Sequence, residues 1–595
     1  MRQTPRARAF VFSLTVWFLL LAANAQAQTR PIAVEYTVKV ASTDDRLFHV
    51  TTDIKNISQP SLDLSLPVWT PGWYTIENYA KNILRFKVTD AKGARLPHMM
   101  TRKQTWRVNT RGLDRIKVEF DYQANVLALN QAKITKDFAF FTGTQLFLLA
   151  EGHRRVPCAV RFEVPAGWKI VTALQDTADP MVFTAPDYDM LVDSPTEMGN
   201  FDMMKFEVDG KPHYFVSTPA GAFSKEKSAK FVEILTQIAK TQKAIFGDLP
   251  YQKYVYYYFF APAESNAGGG LEHNNSFVAF SGSGATADPD GMAGLAAHEF
   301  FHAWNVKRIR PAQMWPYDYS RENESPLLWV SEGFTNYYTN VSLYRAGLRS
   351  REQFLESVAG AMNGVENEEA RHYISPADAS TSTWLGYDTP VAFGISYYTQ
   401  GQNLGALLDL SILNDTKGKA RLDDVMRALY REHYQKGRGF STEDLLRVIT
   451  RIAGRDYHDF FRRYILGVEV PPYEQIFGYA GYRLEKLTRK VPEFGFGIRG
   501  TPQGLQVSDV EPDSAAAKAG LQPGDILLTV DGADIRRARI DEKVGQTVKV
   551  GIKRGEEDKT LDMLIEGREV ASSELVEVTN PTPAQSQVRE AWLKK

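Results

Sequence analysis

The spacing of apolar residues changes near Ala222 in this 595-residue chain, and the change limits the folds open to it. From Arg30 to Asp209, apolar and polar residues alternate in segments such as PIAVEYTVKV and RIKVEFDYQA, separated by Asp, Asn, Gly or Pro. Such alternation is typical of strands with one buried face. From Gly291 to about Gly467, apolar residues recur at helical spacing instead. This order predicts an all-β sandwich followed by a separate α+β domain.

The second region is predicted to combine a small sheet with many helices. FSKEKSAKFVEILTQIAKTQKAIFG has a helical period and ends at Gly247, as helices often do. Tyr251–Phe260 is an apolar, β-rich run typical of a buried strand, and SFVAFSG is a second strand candidate. The further predicted helices are the stretch that starts at Gly291, Leu327–Leu343, Arg351–Asn363, Ile395–Leu413, Leu422–Tyr434, Thr442–Gly454 and Tyr457–Gly467.

The first 27 residues are typical of a signal peptide. Arg2, Arg6 and Arg8 precede an apolar run from Ala9 to Ala23, and small residues then lead to Ala27. We expect cleavage after Ala27 and an exported protein, periplasmic or secreted. The alternative is an uncleaved anchor, for which the run is short, because a membrane span needs about 20 apolar residues. No later stretch is long and apolar enough to span a bilayer.

Composition excludes some classes of protein. A net charge of −1 implies no basic surface, so we expect no nucleic-acid partner. Hydrophobic residues make up 43% of the chain, enough for several large cores. Cys158 is the only cysteine, so no disulfide can form within the chain, and we interpret Cys158 as a buried apolar residue.

The motif HEFFH, from His298 to His302, carries the strongest chemical signal. Residues four apart lie on one face of a helix, so both imidazoles can reach one ion, for which zinc is suited. Glu299 lies beside that face, where a carboxylate can take a proton from a zinc-activated water. The alternative is two helix histidines with this spacing by chance, and the motif alone does not exclude it.

Glu332 is the candidate third ligand. It lies in LLWVSEGFTNYYTN, and the loop-like PYDYSRENESP separates this segment from the motif. Two histidines and one glutamate would leave a coordination position open, as in catalytic zinc sites. The alternative is a carboxylate on a helix surface, against which its apolar neighbours argue.

Three segments together resemble the gluzincin zinc peptidases. These are HEFFH with the later SEGFT, AGGGLEHNN (Ala267–Asn275), and SYYTQGQNLGALLDL. In gluzincin aminopeptidases a glutamate in the second segment binds the free α-amine of the substrate, and here it would be Glu272, with Gly269 and Gly270 beside the substrate backbone. A tyrosine in the third segment steadies the oxyanion, and here it would be Tyr398 or its neighbour Tyr397.

The chain is most similar to the glycyl aminopeptidase family, whose members carry a PDZ domain. WTPGWY (Trp69–Tyr74), GGLEH, HEFFHAWNVKRIRP and GRDYHDFFRRYILG carry this resemblance. It implies a multidomain fold: an N-terminal all-β sandwich, an α+β thermolysin-like (gluzincin) catalytic domain and a C-terminal PDZ domain. It also implies one Zn²⁺ per chain and a preference for small N-terminal residues such as Gly and Ala. His273 and Gln400 depart from the motifs of related families.

PEFGFGIRG and VSDVEPDSAAAKAGLQPGDILLTVDG resemble a bacterial PDZ domain, in which Gly495, Phe496 and Gly497 would form the loop that binds a peptide carboxylate. The alternative is a domain that only packs against the catalytic unit. The predicted organisation is a signal peptide (1–27), the β-sandwich (28–210), the catalytic domain (211–467), a linker (468–491), the PDZ domain (492–568) and a disordered tail (569–595).

We therefore predict a zinc metallo-aminopeptidase whose partners are peptides with a free N-terminus. Two alternatives remain: a zinc endopeptidase with the same metal site, and a non-catalytic PDZ protein with a degenerate site. Lys307, Arg308 and Arg310 are interpreted as charges near the C-terminus of the motif helix, where its dipole favours them, or as contacts for a substrate carboxylate.

Overall fold

The structure is a computed structural model that describes residues 31–260, 268–386, 394–501, 504–535 and 543–595. The predicted signal peptide, residues 1–27, lies outside the described residues. In the part of the chain that is described, no helix combines the length and the apolar character needed to cross a bilayer.

The N-terminal domain is built from strands, as predicted. In β1 (Ala33–Ser42) every second residue is buried, among them Val34, Tyr36 and Val38, because the strand covers one side of the core. The other strands are β2 (Leu47–Lys55), β3 (Ser61–Ser65), β4 (Ile83–Asp90), β5 (His98–Arg102), β6 (Thr105–Asn109), β7 (Arg115–Gln123), β8 (Lys133–Ile134), β9 (Phe138–Phe141), β10 (Leu149–Ala150), β11 (Cys158–Glu163), β12 (Lys169–Thr172), β13 (Gln175–Asp176), β14 (Val182–Ala185) and β15 (Thr196–Gly199).

These strands form three sheets. Their orders are β13-β14-β11-β1-β2-β7-β4, β10-β3-β6-β5 and β12-β15-β9-β8. A short helix, α1 (Tyr188–Val192), precedes β15. Cys158 is buried in β11, in agreement with its interpretation as an apolar residue.

The domain that the sequence predicts to be catalytic, called the catalytic domain below, contains a mixed sheet of order β16-β17-β18-β20-β19. Its strands are β16 (Asp202–Val208), β17 (Lys211–Thr218), β18 (Tyr254–Phe260), β19 (Gly269–His273) and β20 (Ser276–Ser281). All of β18 is buried because its two faces enter different cores: Tyr256 and Tyr258 pack with the helices, and Tyr257 and Phe259 pack with Phe140 of the N-terminal domain. The N-terminal domain therefore covers one face of the catalytic sheet.

Helices α2 (Lys225–Phe246) and α3 (Pro289–Phe301) pack on the strands of this sheet. The other α-helices of the domain are α4 (Thr335–Arg345), α5 (Arg351–Glu366), α6 (Pro376–Thr381), α7 (Tyr397–Asp415), α8 (Leu422–Glu432), α9 (Thr442–Ala453), α10 (His458–Tyr464) and α11 (Tyr473–Gly478). Helix α2 ends at Gly247 as predicted, with a positive φ of 98° that a glycine adopts without strain.

The described part of the C-terminal region holds a six-stranded sheet of order β22-β23-β24-β26-β27, in which β25 also pairs with β24. Its elements are β21 (Tyr482–Glu493), β22 (Phe496–Thr501), β23 (Gly504–Val510), α12 (Ala515–Ala519), β24 (Ile526–Val530), β25 (Ala533–Asp534), β26 (Thr547–Arg554), β27 (Glu557–Leu564), β28 (Glu566–Glu577) and α13 (Pro583–Trp592). Strands β21 and β28 pair along their full length as an antiparallel ribbon that connects this sheet to the catalytic domain.

Three predicted segments differ from the structure. β16 (Asp202–Val208), within the predicted β-sandwich (28–210), belongs to the sheet of the next domain. The linker at 468–491 contains α11 and most of β21, whose residues pair with β28 rather than remaining irregular. The disordered tail at 569–595 contains most of β28 and all of α13. The polar segment before α13 caps the helix, with Thr582 and Gln585 in a capping box and Pro583 in the first turn. Trp592 is 2% exposed and buries the end of the chain against the catalytic domain.

Candidate active site

Helix α3 brings the two histidines of the HEFFH motif together. Asp288 caps the helix and Pro289 occupies its first turn, so the helix starts where the sequence supplies both signals. The Nε2 atoms of His298 and His302 lie 3.1 Å apart, as the spacing of four residues predicted. His302 is 1% exposed, whereas His298 is partly open to solvent.

Helix α3 ends at Phe301, before Lys307, Arg308 and Arg310, which the sequence placed near its C-terminus, and the chain folds back at once. The reversal places the carbonyl of Asn305 2.7 Å from His302 Nδ1. A carbonyl only accepts, so Nδ1 carries the proton and Nε2 keeps its lone pair for a metal. The Asn305 amide donates to the carbonyls of Val330 and Ser331, which ties this turn to the segment that carries Glu332.

Glu332 lies in a π-helix, Trp329–Phe334, where the sequence predicted a regular helix. Its Oε2 is 3.2 Å from His302 Nε2 and 3.5 Å from His298 Nε2. Burial raises the pKa of this carboxyl, but the two imidazoles outweigh burial and hold it at about 2. Wide turns of this kind occur often at functional sites, and this one turns Glu332 toward the histidines.

The three side chains fit a zinc ion. Their candidate ligand atoms all lie within 4.8 Å of one another. A tetrahedral ion with bonds of about 2.0–2.1 Å holds its ligand atoms about 3.3 Å apart, close to the distances found here. Two further buried acidic side chains, Glu272 and Glu299, lie beside His302. A divalent cation would balance the negative charge of this group.

Glu299 points at the edge strand of the catalytic sheet. A Cβ on Gly270 would lie 2.3 Å from Glu299 Oε1, so only glycine leaves room for the carboxyl at this point of β19. Glu299 is 4% exposed, and burial, together with Glu272 and Glu332, raises its pKa well above the usual value. A carboxyl with a raised pKa can both take up and return a proton near neutral pH.

Glu272 lies on the same strand and is 4% exposed. Its Oε1 is buried and has no hydrogen-bond partner among the residues that the structure describes. A turn of the N-terminal domain lies against the carboxyl, because a Cβ on Gly72 would be 2.7 Å from both of its oxygens. Gly269, at the start of the strand, has a φ of 109° that suits glycine. The carboxyl of Glu272 is therefore poised to accept a charged donor.

Both candidate tyrosines begin helix α7. The ring of Tyr398 stacks on His298 at 6.2 Å, and Tyr397 stacks on Tyr398 at 4.9 Å. A close crossing explains their position: a Cβ on Gly401 would lie 2.0 Å from the carbonyl of Trp329. The glycine at 401 thus lets α7 approach the π-helix that carries Glu332.

The sequence did not predict that three residues lie close to Glu272: Asp193 was not singled out, Lys307 was interpreted as a helix-end charge or a contact for a substrate carboxylate, and Tyr74 was noted only within a motif. Lys307 and Asp193 lie beside Glu272 and are almost fully buried. Tyr74 belongs to the segment WTPGWY, and burial, followed by the carboxylates of Glu332 and Glu272, raises its pKa well above the usual value. The tryptophans and glycine of WTPGWY were the available signal, but such a segment is also typical of a packed corner of a sandwich.

The predicted carboxylate loop lies elsewhere, in the small C-terminal sheet. Gly495 has a φ of 64°, and a Cβ on it would lie 2.2 Å from that of Ser514. A Cβ on Gly497 would lie 2.3 Å from Asp509 Oδ1. Phe496 is half-buried and starts β22, the edge strand of the sheet. Gly495 is therefore required by its backbone conformation and by packing against Ser514, whether or not a peptide binds.

Comparison with known proteins agrees with this architecture. Residues 35–200 match the Peptidase M61 N-terminal domain, residues 291–404 match the M61 glycyl aminopeptidase domain, and residues 485–554 match the PDZ domain. The family resemblance and the three-part fold class predicted from the sequence are thereby confirmed. None of the curated proteins matches the chain.

A solved structure shares the fold. An aminopeptidase N family protein from Idiomarina loihiensis superposes with a TM-score of 0.78 at 24% identity, covering 94% of this chain and 100% of its own. The M1 zinc metallopeptidase from Deinococcus radiodurans has a TM-score of 0.46 at 16% identity, covering 74% of this chain and 96% of its own. Yeast LTA4 hydrolase has a TM-score of 0.47 at 14% identity, covering 74% and 69%.

Proposed function

Because the chain carries both domain types of the M61 glycyl aminopeptidases and a PDZ domain, we propose that it is a zinc-dependent aminopeptidase that releases small N-terminal residues, Gly and Ala, from peptides. The observation that carries the proposal is the buried Oε1 of Glu272, which makes no hydrogen bond among the described residues. The candidate ligand atoms of Glu272 and of His302, a member of the group His298, His302 and Glu332, lie within 4.8 Å of each other.

His298, His302 and Glu332 would hold the ion. When bound there, zinc supplies a Lewis acid and lowers the pKa of a water. Glu299 takes a proton from the attacking water and returns it to the departing amine. Tyr398 donates a hydrogen bond to the oxygen that becomes negative as the peptide carbonyl is attacked. The ring contact between Tyr398 and His298 supports this assignment over Tyr397.

Glu272 would determine where the enzyme cuts. A free α-amine is an ammonium, and a buried carboxylate whose Oε1 makes no hydrogen bond in the described part of the chain can pair with it by a charge-assisted hydrogen bond. The substrate extends along β19, where Gly270 allows its backbone to pass close to Glu299. Since the amine is fixed beside the base, the bond after the first residue is the one attacked.

Further proposals concern the rest of the chain. The signal-like N-terminus supports export, with the enzyme acting in the periplasm or outside the cell. Among the described residues β22 is an edge strand of its sheet, which supports capture of a peptide C-terminus by the PDZ domain through addition of a strand. We expect neither a nucleic-acid partner nor a membrane span after signal cleavage.

The test is an assay of Gly-, Ala- and Leu-arylamides beside acetyl-Ala-arylamide, with and without a zinc chelator. We expect Gly- and Ala-arylamides to be cleaved fastest, the acetylated substrate to be resistant, and activity to be lost on chelation and restored by zinc. Glu272→Gln should raise KM for amine substrates, whereas the exposed control Glu324→Gln should not.

Each rival function has its own outcome in this assay. Cleavage of acetyl-Ala-arylamide would favour the endopeptidase. No hydrolysis by zinc-loaded protein would favour the non-catalytic PDZ protein, and hydrolysis that persists in chelator would contradict a zinc mechanism.

A further inference from the structure

Lys307 is a buried cation next to the proposed amine site. It is 1% exposed, although the sequence suggested a charge at a helix end. The early end of α3 carries it inward, where its Nζ lies 3.2 Å from Asp193 Oδ1, 3.4 Å from the carbonyl of Pro71 and 3.8 Å from Glu272 Oε1. Burying an ammonium costs several kcal/mol unless carboxylates compensate it, so this arrangement requires both acids.

Asp193 anchors the lysine from the N-terminal domain. Its Oδ1 also lies 3.0 Å from His273 Nδ1, and its Oδ2 accepts from the backbone N–H of Asn274 at 2.8 Å. Both oxygens of Asp193 are therefore engaged. The same side chain fixes the end of β19, the strand that carries Glu272.

Glu272, by contrast, lies close to Lys307 but does not form a hydrogen bond with it. Its distance of 3.8 Å from Lys307 exceeds a hydrogen bond, and its Oε1 makes no hydrogen bond among the described residues. Asp193, Lys307 and Glu272 together carry two negative charges and one positive charge. An α-ammonium at Glu272 would bring this buried group to neutrality.

We propose that Lys307, anchored by Asp193, is a positioning residue for amine recognition: it orients Glu272 and sets the charge of the pocket at one negative unit. The proposal rests on the proposed aminopeptidase function. It makes the N-terminal domain part of the specificity site, because loss of Asp193 leaves Lys307 to pair with Glu272 directly and to compete with the substrate amine.

Two zinc-binding probes that differ in the amine test this proposal. Alanine hydroxamate carries an α-ammonium and propionohydroxamate lacks it. Their dissociation constants are measured by calorimetry on the zinc-loaded, full-length protein. Asp193→Asn should raise the dissociation constant of alanine hydroxamate by at least about tenfold, as loss of a charged partner does. The dissociation constant of propionohydroxamate should not change. Lys307→Met should act in the same direction, because Asp193 and Glu272 then repel each other with no cation between them, which displaces the Glu272 carboxyl.

The double variant Asp193→Asn, Lys307→Met restores the charge of the group to one negative unit and should bind alanine hydroxamate more tightly than either single variant. Asp423→Asn is the matched control, since Asp423 is also a buried aspartate in an ion pair. Its partner is Arg345 rather than Lys307. It should lower the thermal stability and leave the ratio of the two dissociation constants unchanged.

The outcomes separate this proposal from the proposed function. Wild-type protein that binds both hydroxamates equally would contradict the amine-binding role of Glu272. A wild-type preference for alanine hydroxamate that survives Asp193→Asn, equal weakening of both probes, or a double variant no better than the single variants would overturn the role of Lys307.

Discussion

Glu299 and Glu332 are two buried carboxyls of one pocket whose surroundings drive their pKa values apart. Burial, with Glu272 and Glu332 nearby, raises the pKa of Glu299, whereas the two imidazoles lower that of Glu332 to about 2. A carboxyl that stays ionised suits a metal ligand, and one with a raised pKa suits a proton carrier. The geometry agrees, since Glu332 faces the histidines and Glu299 faces the strand at Gly270.

Glu299→Gln should separate chemistry from metal binding. The amide keeps the shape of the side chain but cannot take a proton, so we expect kcat to fall by about 10²–10⁴-fold. Zinc content, measured by metal analysis, should stay near one per chain, because Glu299 is not among the three proposed ligands. Loss of zinc in this variant would instead assign Glu299 to the metal, and Glu324→Gln is the exposed control.

Glu197 gives the protein a pH-dependent stability. It is 1% exposed in β15, accepts a hydrogen bond from Thr218 of the catalytic domain, and burial raises its pKa to about 8. Between its unfolded pKa of about 4.3 and its folded value, the folded chain binds more protons than the unfolded chain. Stability therefore falls as pH rises through this window, by up to about 1.4 kcal/mol per pH unit from this group.

Glu197→Gln should remove this dependence. Thermal unfolding measured from pH 5 to pH 9 should show a variant that gains on the wild type as pH rises and levels off above about pH 8. The exposed control Glu163→Gln should follow the wild type at every pH. Parallel curves for wild type and Glu197→Gln would show that Glu197 is ionised in the folded protein.

At the scale of elements, the active site depends on how closely α7 crosses the π-helix. A Cβ on Gly333 would lie 2.2 Å from Gly401 Cα, and one on Gly401 would lie 2.0 Å from the Trp329 carbonyl. Two glycines at the crossing bring the backbones together, and with them Glu332 and the tyrosines. A larger residue at either position must separate the two elements.

Gly401→Ala tests this crossing, and Gly360→Ala, at a helix glycine with open space around it, is its control. We expect it to cost about 1–3 kcal/mol through overpacking and to lower kcat, because Tyr398 moves away from His298. Gly360, in α5, is exposed and has nothing within 4 Å of an added Cβ. Gly360→Ala should therefore stabilise the protein by about 0.5–1 kcal/mol and leave kcat unchanged. A harmless Gly401→Ala would contradict the close crossing.

How much of this site the sequence could predict depends on how far apart along the chain the interacting residues lie. The pair His298 and His302 follows from helical spacing, and Glu332 from a burial pattern on the next helix; the structure brings all three together. The burial of Lys307 was not predictable, because its partner Asp193 is 114 residues away. The π-helix and the early end of α3 depend on tertiary contacts, such as those of Asn305, that override local helical preference.

At the scale of the whole molecule, the C-terminal sheet is inserted into the catalytic domain rather than appended to it. After β28 the chain returns, and α13 places Trp592 in the catalytic core, where its Nε1 donates to Tyr337 at 3.0 Å. The ribbon is also fixed to α5, since Asn363 exchanges two hydrogen bonds with the backbone of Ser573. The same polar composition that suggested a disordered tail therefore encodes a capped helix whose apolar residues, Val588 and Trp592, lie four apart.

This arrangement predicts opposite results for two deletions. Leu487 and Ser572 are paired in the ribbon, so residues 488–571 can be replaced by a two-residue Asn-Gly turn that keeps α13 in place. That variant should keep the thermal unfolding temperature of the catalytic domain and its kcat/KM on Ala-arylamide. A chain that ends at Gly481 loses Trp592, which costs about 3–5 kcal/mol for the buried side chain alone, and should unfold at a lower temperature with reduced activity. Equal damage in both variants would show that the inserted sheet, rather than α13, supports the active site.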